Sequence, residues 1–172
     1  MPEPSSRQSD FAQKLALGNQ YERLVSDWLM TKGWRLLAAY EYSGEDKAPR
    51  LMALDGDSLI VPDLLAAKDG KALWFEVKFK TSSDFTRITK RQETGISARL
   101  ADHYSRVETI SGIPVWLIFC HLKQDEIIAA RLADVLPLSR SSSSQIMGRM
   151  KFFPVSEFKR LAALSEIAHA AH

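Results

Sequence analysis

The chain has 172 residues, enough for one domain with a full core. Its 23 Lys and Arg against 21 Asp and Glu leave a formal net charge of +2, with 45% hydrophobic and 26% charged residues, an ordinary globular balance. This excludes a collagen-like, wholly disordered or disulfide-stapled chain, and the charge total alone decides nothing about nucleic acid.

Residues 1–10 are polar, carry two prolines and are expected to form a flexible N-terminus, with a single domain over 11–172. Phe11, Leu15, Tyr21, Leu24, Val25, Trp28 and Leu29 recur at helical spacing, which predicts a helix from about Phe11 to Lys32, closed by Gly33. Trp34 to Tyr40 reads as a strand. A polar loop follows over 41–50, then a short strand from Leu51 to Leu54, and the stretch from Glu45 to Asp57 is long enough to reach a substrate. Two strands, Leu59 to Ala67 and Ala72 to Lys80, flank Lys68-Asp69-Gly70-Lys71, which has hairpin chemistry.

A polar segment, 81–91, leads to an expected helix from about Gln92 to Ile110. Strands are expected at 115–122 and 127–132. Residues 139–150, with serines from Ser139 to Ser144, read as a mobile low-complexity loop. Phe152-Phe153-Pro154 reads as a short strand, and Ser156 as the N-cap of a last helix over 157–170. The order of elements predicts an α/β domain with a central mixed β-sheet flanked by helices.

No apolar stretch approaches the roughly 18 residues of a membrane span, and the N-terminus lacks a signal-peptide pattern. Cys120 is the one cysteine and lies in the apolar run 115–120, so an internal disulfide is excluded and an inert buried thiol is expected. A cytoplasmic, reducing compartment is the expectation. No Gly-rich phosphate loop, Gly-x-Ser-x-Gly turn or zinc-ligand spacing is present.

The charge is segregated. Residues 1–63 hold seven basic and ten acidic side chains; residues 78–106 hold seven basic and three acidic; residues 131–160 hold six and two. A basic stretch is commonly a solvated face, so its neighbourhood decides its meaning.

That neighbourhood is Ile60-Val61-Pro62-Asp63-Leu64-Leu65 followed by Leu73-Trp74-Phe75-Glu76-Val77-Lys78-Phe79-Lys80. Strand alternation sends Glu76, Lys78 and Lys80 to one face, and Phe75, Val77 and Phe79 to the other. Asp63 and Glu76 flank the hairpin turn and are expected to be cross-strand neighbours. Paired carboxylates repel unless a cation joins them. With oxygen donors and no His or Cys cluster, the fitting ion is Mg²⁺, with Mn²⁺ as a substitute. A metal, a water and the Lys78 amine make a kit for phosphodiester hydrolysis. The alternative is that Glu76 and Lys78 form surface ion pairs on an exposed strand.

Pro62-Asp63 followed by Glu76-Val77-Lys78 resembles the Pro-Asp…(Asp/Glu)-x-Lys signature of restriction-endonuclease-like nucleases. The segment Gly18-Asn19-Gln20-Tyr21-Glu22, with Lys32-Gly33-Trp34, resembles the opening of the Holliday-junction-resolvase-like branch. The resemblance spans about 15–122. It implies a restriction-endonuclease-like fold and Mg²⁺-dependent DNA cleavage. Asp63 and Glu76 would hold the metal, with the Val77 carbonyl as a further ligand and Glu22 as an outer or second-metal carboxylate. Lys78 would be the catalytic lysine, and Gln92, opening the next helix, would lie near the scissile phosphate. Lys80, Arg87, Lys90, Arg91 and Arg99 would bind DNA phosphates, and Arg149 and Lys151 would add a second contact region. A homodimer is plausible on the same resemblance. Tyr104 is expected to pack. The alternative function is a catalytically inactive module of the same fold that binds DNA or a partner.

Overall fold

The structure is a computed structural model and describes residues 6–37, 50–53, 56–144 and 148–170. The chain runs α1 (Ser6–Thr31), β1 (Arg35–Leu37), β2 (Arg50–Met52), β3 (Ser58–Ile60), β4 (Leu64–Lys68), β5 (Lys71–Lys80), β6 (Asp84–Thr86) and β7 (Arg91–Ser97). It continues through α2 (Ala98–Ser111), β8 (Val115–His121), β9 (Glu126–Arg131), α3 (Leu132–Val135), β10 (Arg140–Ser144), β11 (Gly148–Pro154), β12 (Lys159–Ala162) and α4 (Leu164–Ala170).

The central sheet has the order β1-β4-β5-β8-β9-β12. All its pairs are antiparallel except β5 with β8, which run parallel from Trp74 opposite Val115 to Lys80 opposite His121. The sheet is therefore mixed, as expected, and β5 lies in its interior. On one face α1 and α4 cover Phe75, Val77, Ile118 and Cys120, with Val25, Leu29, Leu164 and Ile167 filling the layer. On the other face α2 covers Trp74, Leu117 and Phe119, joined by Ile96 and Phe153 from a second sheet. That second sheet has the order β10-β11-β7-β6. Tyr104 is buried in this layer, so it packs as expected.

Several elements differ from the sequence expectation. The single strand expected over 59–67 is broken at Val61-Pro62-Asp63, because proline has no N–H for a ladder. Residues 6–10 belong to α1 rather than to a flexible tail, and residues 1–5 lie outside the described residues. The first strand is β1, and the rest of its expected extent, 38–40, lies outside the described residues, as does 41–49 of the polar loop and insertion. The end of that insertion forms the β2–β3 ribbon.

The helix expected from Gln92 begins only at Ala98. Residues 91–97 form β7, where Thr94, Gly95 and Ile96 disfavour a helix and pair with β11. Gly95 is required there: a Cβ would sit 2.5 Å from the Lys151 carbonyl oxygen and 3.0 Å from the Phe152 ring. The serine stretch is a strand, not a loop. β10 pairs with β11 from Arg140 opposite Phe152 to Ser144 opposite Gly148, so its order comes from its partner. Arg140 fixes the start, with its guanidinium 4.8 Å from the Phe152 ring centroid. Residues 145–147 lie outside the described residues.

The last helix is also shorter than expected. Phe158 is buried against Phe119 and Phe153, and this anchor precedes β12, which pairs with β9; the helix α4 follows. Ser156 is not its N-cap. Among the described residues, no helix is long and apolar enough to cross a membrane.

Candidate active site

The break at Pro62 and the hairpin turn at Asp69-Gly70 together build the site. Register brings Leu64 opposite Phe75, so Asp63 stands just beyond the last ladder pair, beside Glu76. There the Val77 N–H donates to Asp63 Oδ2 at 2.8 Å instead of to a neighbouring strand. The Lys78 ammonium lies 2.5 Å from Glu76 Oε1 and 3.8 Å from Asp63 Oδ2. Asp63 and Glu76 are thus neighbours across the hairpin, as expected, and a Glu76–Lys78 ion pair is present, with Glu76 buried and Lys78 partly exposed.

Glu76 has 0% exposure and Asp63 8%. Among the described residues the one donor close to Glu76 is the Lys78 ammonium at Oε1, and Oε2 has no partner. Burying a carboxylate without donors is costly. Lys78 offsets part of that cost. Burial alone would lower the Lys78 pKa, but Glu76, Asp63 and Glu22 outweigh it and hold the amine above the ordinary lysine range. Lys78 is therefore an ammonium in this state. The Asp63 carboxyl is pushed well above the usual range, by burial first and then by Glu76, while Lys78 and the Val77 N–H oppose. Glu22, on α1, is raised by burial, with Lys78 opposing and Glu76 adding. Its helix is seated by the Tyr21 ring stacked on Phe79 at 4.2 Å.

A hard divalent cation fits this donor set. Two adjacent carboxylates, with Glu76 Oε2 left without a partner, are oxygen donors of the kind Mg²⁺ takes. Among the described residues no group of three His, Cys, Asp or Glu side chains forms a ready cage. Glu22 is close enough to act electrostatically on Lys78 and Asp63 and stands as an outer carboxylate.

The remaining expected residues are dispersed. Lys80 lies beyond Lys78 on β5, and its pKa is lowered by burial and by Lys78. Gln92 is on β7 rather than opening a helix; its Oε1 accepts from Ser83 Oγ at 3.2 Å. Arg87 and Lys90 are exposed at the β6–β7 turn. Arg91 pairs with Glu93, 3.3 Å away, and keeps its side chain partly exposed. Arg99 and Arg149 line an open cleft with His103 and Arg106, and Lys151 is half-buried on β11.

Two buried polar groups escaped the sequence reading. Glu93 accepts from Thr86 and Thr89, both at 3.0 Å, and from Arg140 Nη2 at 2.7 Å. Burial works against its charge, but the hydrogen bonds from Arg140, Thr89, Thr86 and Arg91 hold its pKa down to about 2. His121 bridges Thr94 and Glu126 at 3.1 and 2.9 Å. The only sequence signal for the Glu93 cluster is a glutamate among threonines and arginines that looks like a solvated face. Cys120 is buried and its thiol is pushed up to about 12 by burial.

No family model matches the chain, and no curated protein matches it. Among solved structures it is similar to the Holliday junction resolvase Hjc of Archaeoglobus fulgidus, an archaeal hyperthermophile. The identity is 13% and the TM-score 0.54, over 87% of this chain and 99% of that one. A nuclease from a fusselovirus, D212, aligns with 16% identity and a TM-score of 0.43, over 100% of this chain and 99% of that one. The central mixed sheet, its flanking helices and the likeness to the archaeal resolvase identify the fold of this chain as restriction-endonuclease-like.

Proposed function

We propose that the chain is a metal-dependent DNA endonuclease that hydrolyses phosphodiester bonds. The observation that carries this reading is the Glu76 carboxylate, fully buried at the sheet centre beside Asp63, with the Lys78 ammonium as its one close donor among the described residues. A fold that only needed stability would gain by replacing such a group with an apolar one. Asp63 and Glu76 would hold Mg²⁺ or Mn²⁺, with the Val77 carbonyl and Glu22 in support. When bound, the ion polarises a phosphate oxygen and acidifies a water.

Lys78 stands beside both carboxylates, where it can orient or deprotonate a water. It also balances charge building on the phosphate. Asp63, tied to the Val77 N–H, keeps its carboxylate aimed at the same point. Lys80, Arg87, Lys90 and Arg99 would supply phosphate contacts on either side of the cut. Substrate preference among duplex, single-stranded and branched DNA belongs to the test, as does pairing of two copies into a homodimer for cutting both strands.

The test is a cleavage panel of branched, single-stranded and continuous duplex DNA with Mg²⁺ or Mn²⁺. Wild-type cleavage of at least one substrate, lost in Asp63→Ala and Lys78→Ala, is the expected result. Binding without cleavage of any substrate would favour the inactive-module reading. Undiminished cleavage by either variant would overturn the residue assignment.

A further inference from the structure

The turn between β6 and β7 bears Ile88, which at 83% is the most exposed large hydrophobic side chain among the described residues. Exposed Arg87 and Lys90 stand close on either side of it in sequence. A lone exposed isoleucine is ordinary; the support beneath this one is not. The side chains of Thr86 and Thr89, before and after Ile88, both donate to the buried Glu93 carboxylate. Arg140 and Arg91 hold that carboxylate from β10 and β7. The Lys90 N–H closes the turn on the Thr86 carbonyl at 2.7 Å, with Lys90 at a positive φ of 53°.

The bonds that Glu93 accepts from Thr86, Thr89, Arg91 and Arg140, together with the left-handed Lys90, brace this turn on both sides. Here they fix an apolar tip between two cations, so little conformational freedom is left to lose on binding. The tip lies ten residues after Lys78, and its returning strand leads directly to Gln92. Its cations match a phosphate backbone, and its apolar centre matches a base step rather than a phosphate.

We propose that Ile88 is an apolar wedge that enters DNA at an interrupted or bent base step, with Arg87 and Lys90 on the flanking phosphates. Side chains of this type partly unstack such steps, and the energetic penalty is smallest where stacking is already broken. The inference rests on the DNA reading above and narrows its substrate to DNA with a break in stacking.

The test uses the full chain with Ca²⁺ in place of Mg²⁺ and two 2-aminopurine DNAs, one a continuous duplex and one nicked beside the probe. Wild type is expected to raise fluorescence at the nicked step. Ile88→Ala should lose that rise and bind nicked DNA about tenfold more weakly, while its continuous-duplex affinity stays within about twofold. Ile88→Leu should retain both properties. Ile88 touches no core, so its variants fold. Wild-type fluorescence and affinity in Ile88→Ala would overturn the wedge and leave DNA binding intact. A wild-type chain that binds neither DNA would overturn the DNA reading, and the wedge with it.

Discussion

The backbone N–H of Val77 donates to the side chain of Asp63 at 2.8 Å, so the aspartate is tied to the strand that carries Glu76 and Lys78. One bond therefore holds Asp63 beside the other two candidate side chains. Asp63→Asn keeps an acceptor for that N–H while removing a buried charge. It should stabilise the metal-free protein at neutral pH by about 1 kcal/mol, and lower cleavage about a hundredfold or more. Wild type should gain about 2.7 kcal/mol when Mg²⁺ is present at roughly a hundred times its dissociation constant. Asp63→Asn should not respond. Thermal melts with and without Mg²⁺ read both effects, and an equal Mg²⁺ response in the two proteins would remove Asp63 from the metal set.

The pH dependence has two opposed parts. The Asp63 pKa is raised on folding, so the native state holds its proton more tightly than the unfolded chain. Stability from this group is present below the unfolded carboxylate range and is lost as pH rises through the raised native value. The Glu93 pKa is instead held down to about 2. Its contribution is present above the unfolded range and is lost as pH falls from about 4.5 towards 2; it amounts to roughly 3 kcal/mol. Glu93→Gln should cost a similar amount at neutral pH and flatten the acid limb of a denaturation series. An unchanged acid limb would show that the Arg140 and threonine bonds do not hold the carboxylate in solution.

Gly95→Ala should be among the most damaging single-methyl changes in the chain. The new Cβ would meet a backbone carbonyl of β11, which cannot swing aside as a flexible side chain can. A loss of about 2–3 kcal/mol is expected, with weakened β7–β11 pairing. Hydrogen exchange at Lys151 and Phe152 would report it, and a neutral result would mean that β11 shifts freely.

Cys120 should resist thiol reagents in the native state. Its pKa is pushed up to about 12 and its side chain is buried, so thiolate is scarce and access is closed. Reaction with a disulfide reagent should appear only with denaturant, and rapid native labelling would contradict the packing of β8.

The core and the carboxylate hairpin were legible because each depends on local rules. Period-two alternation around Glu76 and turn chemistry at Asp69-Gly70 together predict that Asp63 meets Glu76, and the register agrees. Alternation did not reveal that β5 is covered on both faces, which is what makes Glu76 a buried group. The second sheet was not legible for a similar reason. Gln92 to Ser97 is polar and short, and its strand state is imposed by β11 and by Glu93 beneath the turn. The serines of β10 carry no pattern of their own and take their register from Phe152 and Arg140. Arg91, read as a phosphate ligand from its charge, also pairs with an acid two residues away.

The parallel pairing of β5 with β8 bears on the order in which the chain assembles. Asp63 and Glu76 meet across a five-residue-deep hairpin with a tight turn, a contact that needs only neighbouring sequence. β5 becomes an interior strand only when β8 pairs with it, and their first pair joins Trp74 to Val115, about forty residues further on. Nascent chain thus brings its two acids together while solvent still screens them, and the electrostatic penalty falls on the late docking step. A divalent ion captured at the hairpin stage would ease that step, so refolding in Mg²⁺ should be faster than refolding in chelator.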